Sequence, residues 1–134
     1  MKFNRLIPEL VVADLGRSIN FYVKILGFKK KYSREKFTFL SFEGNQIMIS
    51  ENDSWNTGEL KHPFGRGINF QMEVKNIELI LKSLKSNKYK LFRQPEKNWY
   101  RKDKELLGNH EFLVQDPDGY LLRFFESLGK KKIK

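Results

Sequence analysis

One order of patterns, a strand, a helix and three more strands, is written twice along this chain, and that repetition restricts the fold more than any other feature. Leu6 to Val12 alternates, with Leu6, Leu10 and Val12 on one face and Ile7, Glu9 and Val11 on the other. Asp14 is a helix N-cap residue, and the apolar stripe Ile19, Tyr22, Val23 and Leu26 predicts a helix from Leu15 to Leu26 that Gly27 ends. Strands are predicted at Phe28 to Ser33, Phe37 to Phe42 and Gln46 to Ser50, with Glu43-Gly44-Asn45 as the turn between the last two. A polar link, Glu51 to Gly65, follows. The order then restarts with a strand at Gly67 to Val74, Asn76 standing where Asp14 stood, and a helix from Ile77 to Asn87 with Ile77, Ile80, Leu81 and Leu84 as its stripe. Strands are predicted near Tyr89 to Arg93, at Glu105 to Gln115 with an irregularity near Gly108, and at Tyr120 to Glu126. Asp116-Pro117-Asp118-Gly119 is a strong turn signal before the last of them.

The halves match in kind with almost no identity. Val12, Asp14 and Leu15 answer to Val74, Asn76 and Ile77 at one constant offset; Gly44, Ile47 and Ile49 answer to Gly119, Leu122 and Phe124 at another. Two βαβββ modules, approximately 5–50 and 66–126, predict an α+β fold: a curved mixed sheet around a cavity, with the helices on its outer face. The chain of 134 residues makes one domain, 1–129, followed by a Lys-rich tail, 130–134, expected to be frayed. In the second module Ile68, Phe70, Met72 and Val74 form an apolar face that a helix must cover. The opposite face, Asn69, Gln71 and Glu73, reads equally as a cavity wall or as a wet outer surface.

Composition excludes several kinds of chemistry. There is no cysteine, so disulfides and thiolate catalysis are out. No apolar run approaches the ~20 residues that span a bilayer, and Met1 to Pro8 does not read as a signal peptide, so no membrane partner and a cytoplasmic location are expected. The formal charge is +10, with Lys130, Lys131, Lys132 and Lys134 supplying four of these charges. Such a balance attracts anions, but it reads chiefly as a solvated Lys-rich surface, and no specific nucleic-acid partner is expected. No Gly-rich phosphate loop and no Ser-His-Asp motif is present. Twelve Phe, five Tyr and two Trp are enough to serve both a core and a ligand pocket.

A family likeness runs through these segments. It is carried by Pro8-Glu9-Leu10-Val11-Val12-Ala13-Asp14-Leu15, by Arg17-Ser18, Phe21-Tyr22 and Leu26-Gly27-Phe28, by Gly67 to Val74, by Trp99-Tyr100-Arg101, and by Gly108 to Phe124 with its Asp116-Pro117-Asp118-Gly119 turn. In order and spacing these segments, roughly residues 6–126, resemble the vicinal oxygen chelate superfamily (glyoxalase, bleomycin resistance and extradiol dioxygenase proteins), and most of all its bleomycin-resistance branch. His110 stands where many relatives carry arginine.

Metal-dependent relatives place ligands on the first and last strands of each module. Carried over, these points fall on Ile7, Met48, Asn69 and Arg123. An alkyl group, a thioether, an amide and a guanidinium are one usable donor in four, so no metal and no other cofactor is expected. The two histidines, His62 and His110, fall at none of the points.

Strand parity turns Ile7, Glu9, Met48, Asn69, Gln71, Glu73, Leu121, Arg123 and Phe125 inward, together with either Phe37 and Phe39 or Thr38, Leu40 and Phe42. Trp99, Tyr100 and Arg101, in the long segment before the last hairpin, are placed to close the mouth. The ligand-binding candidates are Phe39, Met48, Asn69, Gln71, Trp99, Tyr100, Arg101, His110, Arg123 and Phe125. An alternative role for Arg123 is an ion pair with Glu9 or Glu73. The resemblance implies a protein that sequesters an antibiotic or another aromatic or amphipathic molecule without transforming it. It also implies a homodimer whose first strand can exchange between subunits at Pro8. Bleomycin itself is cationic, so this basic chain suits a neutral or anionic ligand better. The competing reading is a glyoxalase-fold enzyme, lyase, isomerase or dioxygenase-like, with an unusual or absent metal site and His110, Glu111 or Tyr100 as acid or base.

Overall fold

The structure, a computed structural model, describes residues 1–133. The strands form two four-stranded mixed sheets, one for each expected βαβββ module, and the α+β chain divides into two units. The first unit is Met1–Arg66 with Asp116–Tyr120; the second is Gly67–Gln115 with the residues from Leu121 onward. No helix among the described residues is long and apolar enough to cross a membrane.

In the first unit β1 (Glu9–Val11), β2 (Lys29–Arg34), β3 (Phe37–Phe42) and β4 (Asn45–Ser50) pair in the order β1-β4-β3-β2. β1 is shorter than its alternation suggests. Pro8 has no N–H to give to the ladder, although its carbonyl accepts from Met48 N at 2.9 Å, and Leu6 lies exposed beyond it. The helix also differs. α1 (Leu15–Ile19) passes into a π-helical turn, Asn20–Leu26, which Gly27 closes at φ 97°. The widened turn lets the consecutive Phe21 and Tyr22 both be buried, and α1 packs on β4.

The second unit repeats the order: β5 (Asn69–Glu73), α2 (Ile77–Ser86), β6 (Arg93–Lys102), β7 (Glu105–Gln115) and β8 (Leu121–Lys132), paired β5-β8-β7-β6. Met72, Leu122, Phe124, Phe112 and Val114 share the apolar face, and α2 packs on β8 with Ile77, Ile80 and Leu84 buried. Both helices begin in the same way. Asp14 and Asn76 cap them, accepting from Arg17 N and Glu78 N. In addition, Glu51 takes Leu15 N at 2.7 Å and Glu126 takes Ile77 N at 3.3 Å, each carboxylate arriving just past the last strand positions that the repeat relates. Carboxylates at helix N-termini satisfy N–H groups that the helix itself leaves open.

Two readings of the sequence need correction here. No strand occupies 89–92; the strand starts at Arg93 and carries Trp99, Tyr100 and Arg101. Its composition, basic and with Pro95 inside it, hides it, because an edge strand tolerates a residue without an N–H. The Lys-rich tail is not frayed through Lys132: β8 continues to that residue, with Lys130, Lys131 and Lys132 opposite Leu107, Leu106 and Glu105. Lys131 Nζ lies 3.8 Å from the Trp99 ring centre. Lys134 lies outside the described residues.

The Asp116–Tyr120 turn belongs to the first unit through its own bonds. Buried Asp116 accepts from Tyr22 Oη at 2.7 Å and from Asp118 N and Tyr120 N at 2.9 Å. Asp118 pairs with Arg17 at 2.9 Å, and Tyr120 Oη donates to Val11 O. Gly119 has φ 96°, and a Cβ there would lie 2.5 Å from Pro63, so only glycine fits.

Candidate functional site

Alternation along the second sheet puts every other residue on the face opposite the apolar one. On β5 these include Gln71 and Glu73; on β8, Arg123, Phe125, Ser127 and Lys130; on β7, Leu107, Asn109 and Glu111; and on β6, Glu96, Asn98 and Tyr100. A register shift between Gly108 and Asn109 keeps the long strands in step. Most of these residues wall a cavity of about 540 Å³ in the second unit, in which Phe125, Leu107 and the Tyr100 ring meet amides and charges.

Glu111, 3% exposed, is the centre of the polar network. One oxygen accepts from Arg123 Nε at 2.8 Å; the other accepts from Asn98 Nδ2 at 2.8 Å and from the Tyr100 hydroxyl. Burial pushes its carboxyl upward, but the hydrogen bonds from Tyr100, Asn98 and Arg123, with the charge of Arg123, hold it below the ordinary carboxylate value. Burial and the neighbouring Glu111 raise the Tyr100 phenol. Burial works against the Arg123 cation, yet Glu111 outweighs it and the guanidinium is held above its usual value. The Arg123 guanidinium lies 5.4 Å from the Tyr100 ring centre.

Of the ten ligand-binding candidates, Gln71, Tyr100, Arg123 and Phe125 line this cavity. Asn69 is exposed at the start of β5, opposite Leu121, and does not line it. Trp99, Arg101 and His110 do not line it either, because each is adjacent in sequence to a cavity-face residue and so turns to the other face. There Trp99 stands over Gly108, Arg101 Nε donates to Asp103 O at 3.1 Å, and His110 Nδ1 lies 3.7 Å from Glu126. Phe39 and Met48 belong to the first unit, where they are register partners, so Phe37 and Phe39, not Thr38 and Leu40, share the face of Met48 and Glu9. Phe39 is covered there by Phe3 and Tyr32. The partner of Arg123 is neither Glu9 nor Glu73 but Glu111. Parity counted along β7 from its buried Phe112 and Val114 places Glu111 on the cavity face. Lys130 was hidden because a run of lysines at a chain end reads as a tail.

A family model of the glyoxalase/bleomycin resistance protein/dioxygenase superfamily matches residues 2–124. The chain belongs to that superfamily. No curated protein sequence matches it significantly. Among solved structures, this member resembles a glyoxalase/bleomycin resistance protein/dioxygenase from Alicyclobacillus acidocaldarius, with 19% identity, TM-score 0.67, and 93% of this chain and 92% of that one covered. A virulence protein from Salmonella typhimurium is similar at 17% identity and TM-score 0.67, over 94% of this chain and 98% of that one. The fosfomycin resistance protein FosX from Listeria monocytogenes, solved with Mn(II) and sulfate, aligns at 19% identity and TM-score 0.61, over 94% of this chain and 91% of that one. At such identities the likeness is one of fold.

The superfamily raises the question of a metal. The first unit offers Ile7 and Met48 at the relevant points and the second offers Asn69 and Arg123, whose cation is already held against Glu111. Among the described residues no three His, Cys, Asp or Glu side chains come together. This donor set does not fit a hard divalent ion.

Proposed function

We propose that this superfamily member binds a small aromatic or amphipathic molecule in the cavity of its second unit, without a metal, and holds it rather than transforms it. The observation that carries this reading is the state of Glu111. A buried carboxylate whose two oxygens are taken by Arg123, Tyr100 and Asn98 is a fixed structural anion, not a free base. A general acid or base works best with its pKa near the working pH, and here the carboxyl is held down and the phenol pushed up, both away from neutrality. What the wall offers instead is contact: Phe125, Leu107 and Tyr100 for an apolar body, with amides and cations for orientation.

Sequestration of a drug is one form such binding takes, and a formal charge of +10 favours neutral or anionic compounds over cationic ones. The homodimer belongs to the same proposal, and sedimentation equilibrium tests it. A thermal-shift screen of bleomycin-type drugs and aromatic metabolites, run with and without EDTA, tests the binding. At least one compound is expected to raise the melting temperature, by the same amount in both conditions. Stoichiometric metal in the purified protein, or a shift abolished by EDTA, would overturn the metal-free reading.

A further inference from the structure

We infer that the cavity takes an organic anion, an aromatic or amphipathic carboxylate, whose oxygens sit between the guanidinium of Arg123 and the ammonium of Lys130, beside Tyr100. The inference rests on the binding proposal and names the chemistry of its ligand.

The two cations line one cavity. Tyr100, Leu107 and Lys130 form one row across β6, β7 and β8. Arg123 is rooted further back on β8, but its side chain runs along the face: Nε reaches Glu111 at 2.8 Å and the guanidinium comes 5.4 Å from the Tyr100 ring centre. Its charged end therefore lies toward the row of Lys130. The next row outward is Lys102, Glu105 and Lys132, on the same face by alternation. This end of the face carries Arg123, Lys130, Lys102 and Lys132 beside Glu111, Glu105 and Glu96, the last opposite Glu111 on β6. Glu73, on β5 beside β8, lines the same cavity and is the carboxylate that the ligand must avoid.

The carboxylate beside Arg123 is spent. Glu111 is 3% exposed and gives its oxygens to Arg123, Tyr100 and Asn98. Lys130 lines the cavity and has no ion-pair partner among the described residues. Arg123 uses Nε for Glu111 and also meets the Tyr100 hydroxyl; the rest of its planar fork is the group that holds a carboxylate. Phe125 and Leu107, on the same wall, supply the apolar contact that the rest of such a molecule needs.

The test is calorimetric titration of the full chain with three compounds of one shape: 2-naphthoate, 2-naphthamide and 2-naphthylmethylamine. The carboxylate is expected to bind about tenfold more tightly than the amide, and the amine most weakly. Arg123→Gln strands Glu111 and can fail to fold, so the deciding variant is Lys130→Gln, an exposed position held by backbone pairing. There the carboxylate-to-amide ratio is expected to fall at least threefold. Equal binding of carboxylate and amide, preference for the amine, or an unchanged ratio in the variant overturns the anion inference and leaves the binding proposal standing. Failure of all three compounds, with no thermal shift from the wider screen, overturns both.

Discussion

Glu111 and Arg123 show how much one residue's identity decides here. Removing the guanidinium leaves a buried carboxylate with half its compensation, so Arg123→Ala is expected to cost ~3 kcal/mol in urea unfolding, the lower end for one partner of a buried pair because Arg123 is itself partly exposed. Glu111→Gln is expected to cost less, since it removes a charge and not the shape. Asp116 governs a pH dependence. Burial is the largest influence on it and, with the charge of Asp118, outweighs the bonds from Tyr22, Tyr120 and Asp118, raising its pKa from 3.8 to about 6. The folded state then binds this proton more tightly than the unfolded chain does. The stabilisation is full below pH ~4 and is lost as pH rises through 6, by roughly 3 kcal/mol for a shift of this size. Asp116→Asn is expected to flatten that slope when unfolding free energies are compared between pH 4 and 7; a parallel pH profile would refute it. At Gly108 a Cβ would lie 2.6 Å from the Trp99 ring, so Gly108→Ala is expected to lower the melting temperature and change the tryptophan fluorescence.

At the scale of elements, the two helices depend on the strands that end beside them. Glu51 reaches the N-terminus of α1 and Glu126 that of α2, bonds joining residues far apart in sequence. Glu51→Ala and Glu126→Ala are each expected to cost about 1 kcal/mol, as loss of an N-terminal cap does, and each should speed amide exchange first in its own helix. β8 makes a similar point. Its outer end pairs with β7 as far as Lys132, and Lys131 covers Trp99. Removing the residues after Leu128 should therefore expose Trp99 and loosen the β6-β7 hairpin, read as a red shift in emission and faster exchange at Leu106 and Leu107.

For the whole molecule, two sheets of the same strand order, each with its own helix, carry different faces. In the first unit Phe39 is covered by Phe3 and Tyr32, and the face serves the core. In the second, the polar wall of the cavity is lined by Gln71, Tyr100, Arg123 and Lys130. Repetition supplied the scaffold twice, and side-chain replacement gave the second copy a polar cavity wall. EDTA treatment is accordingly expected to leave the melting temperature unchanged.

Local signals were enough for much of this molecule. The period of two in Phe37 to Phe42, the caps at Asp14 and Asn76, and the turn at Asp116 to Gly119 each rest on chemistry within a few residues, so the order of elements and the α+β class could be read without coordinates. The tertiary structure decided what depends on distant partners. An edge strand made of polar residues, Arg93 to Lys102, has no periodic apolar signal, and a lysine run gains order only because β7 lies beside it. Arg123 is drawn to Glu111 from a neighbouring strand, a choice that register settles and composition leaves open.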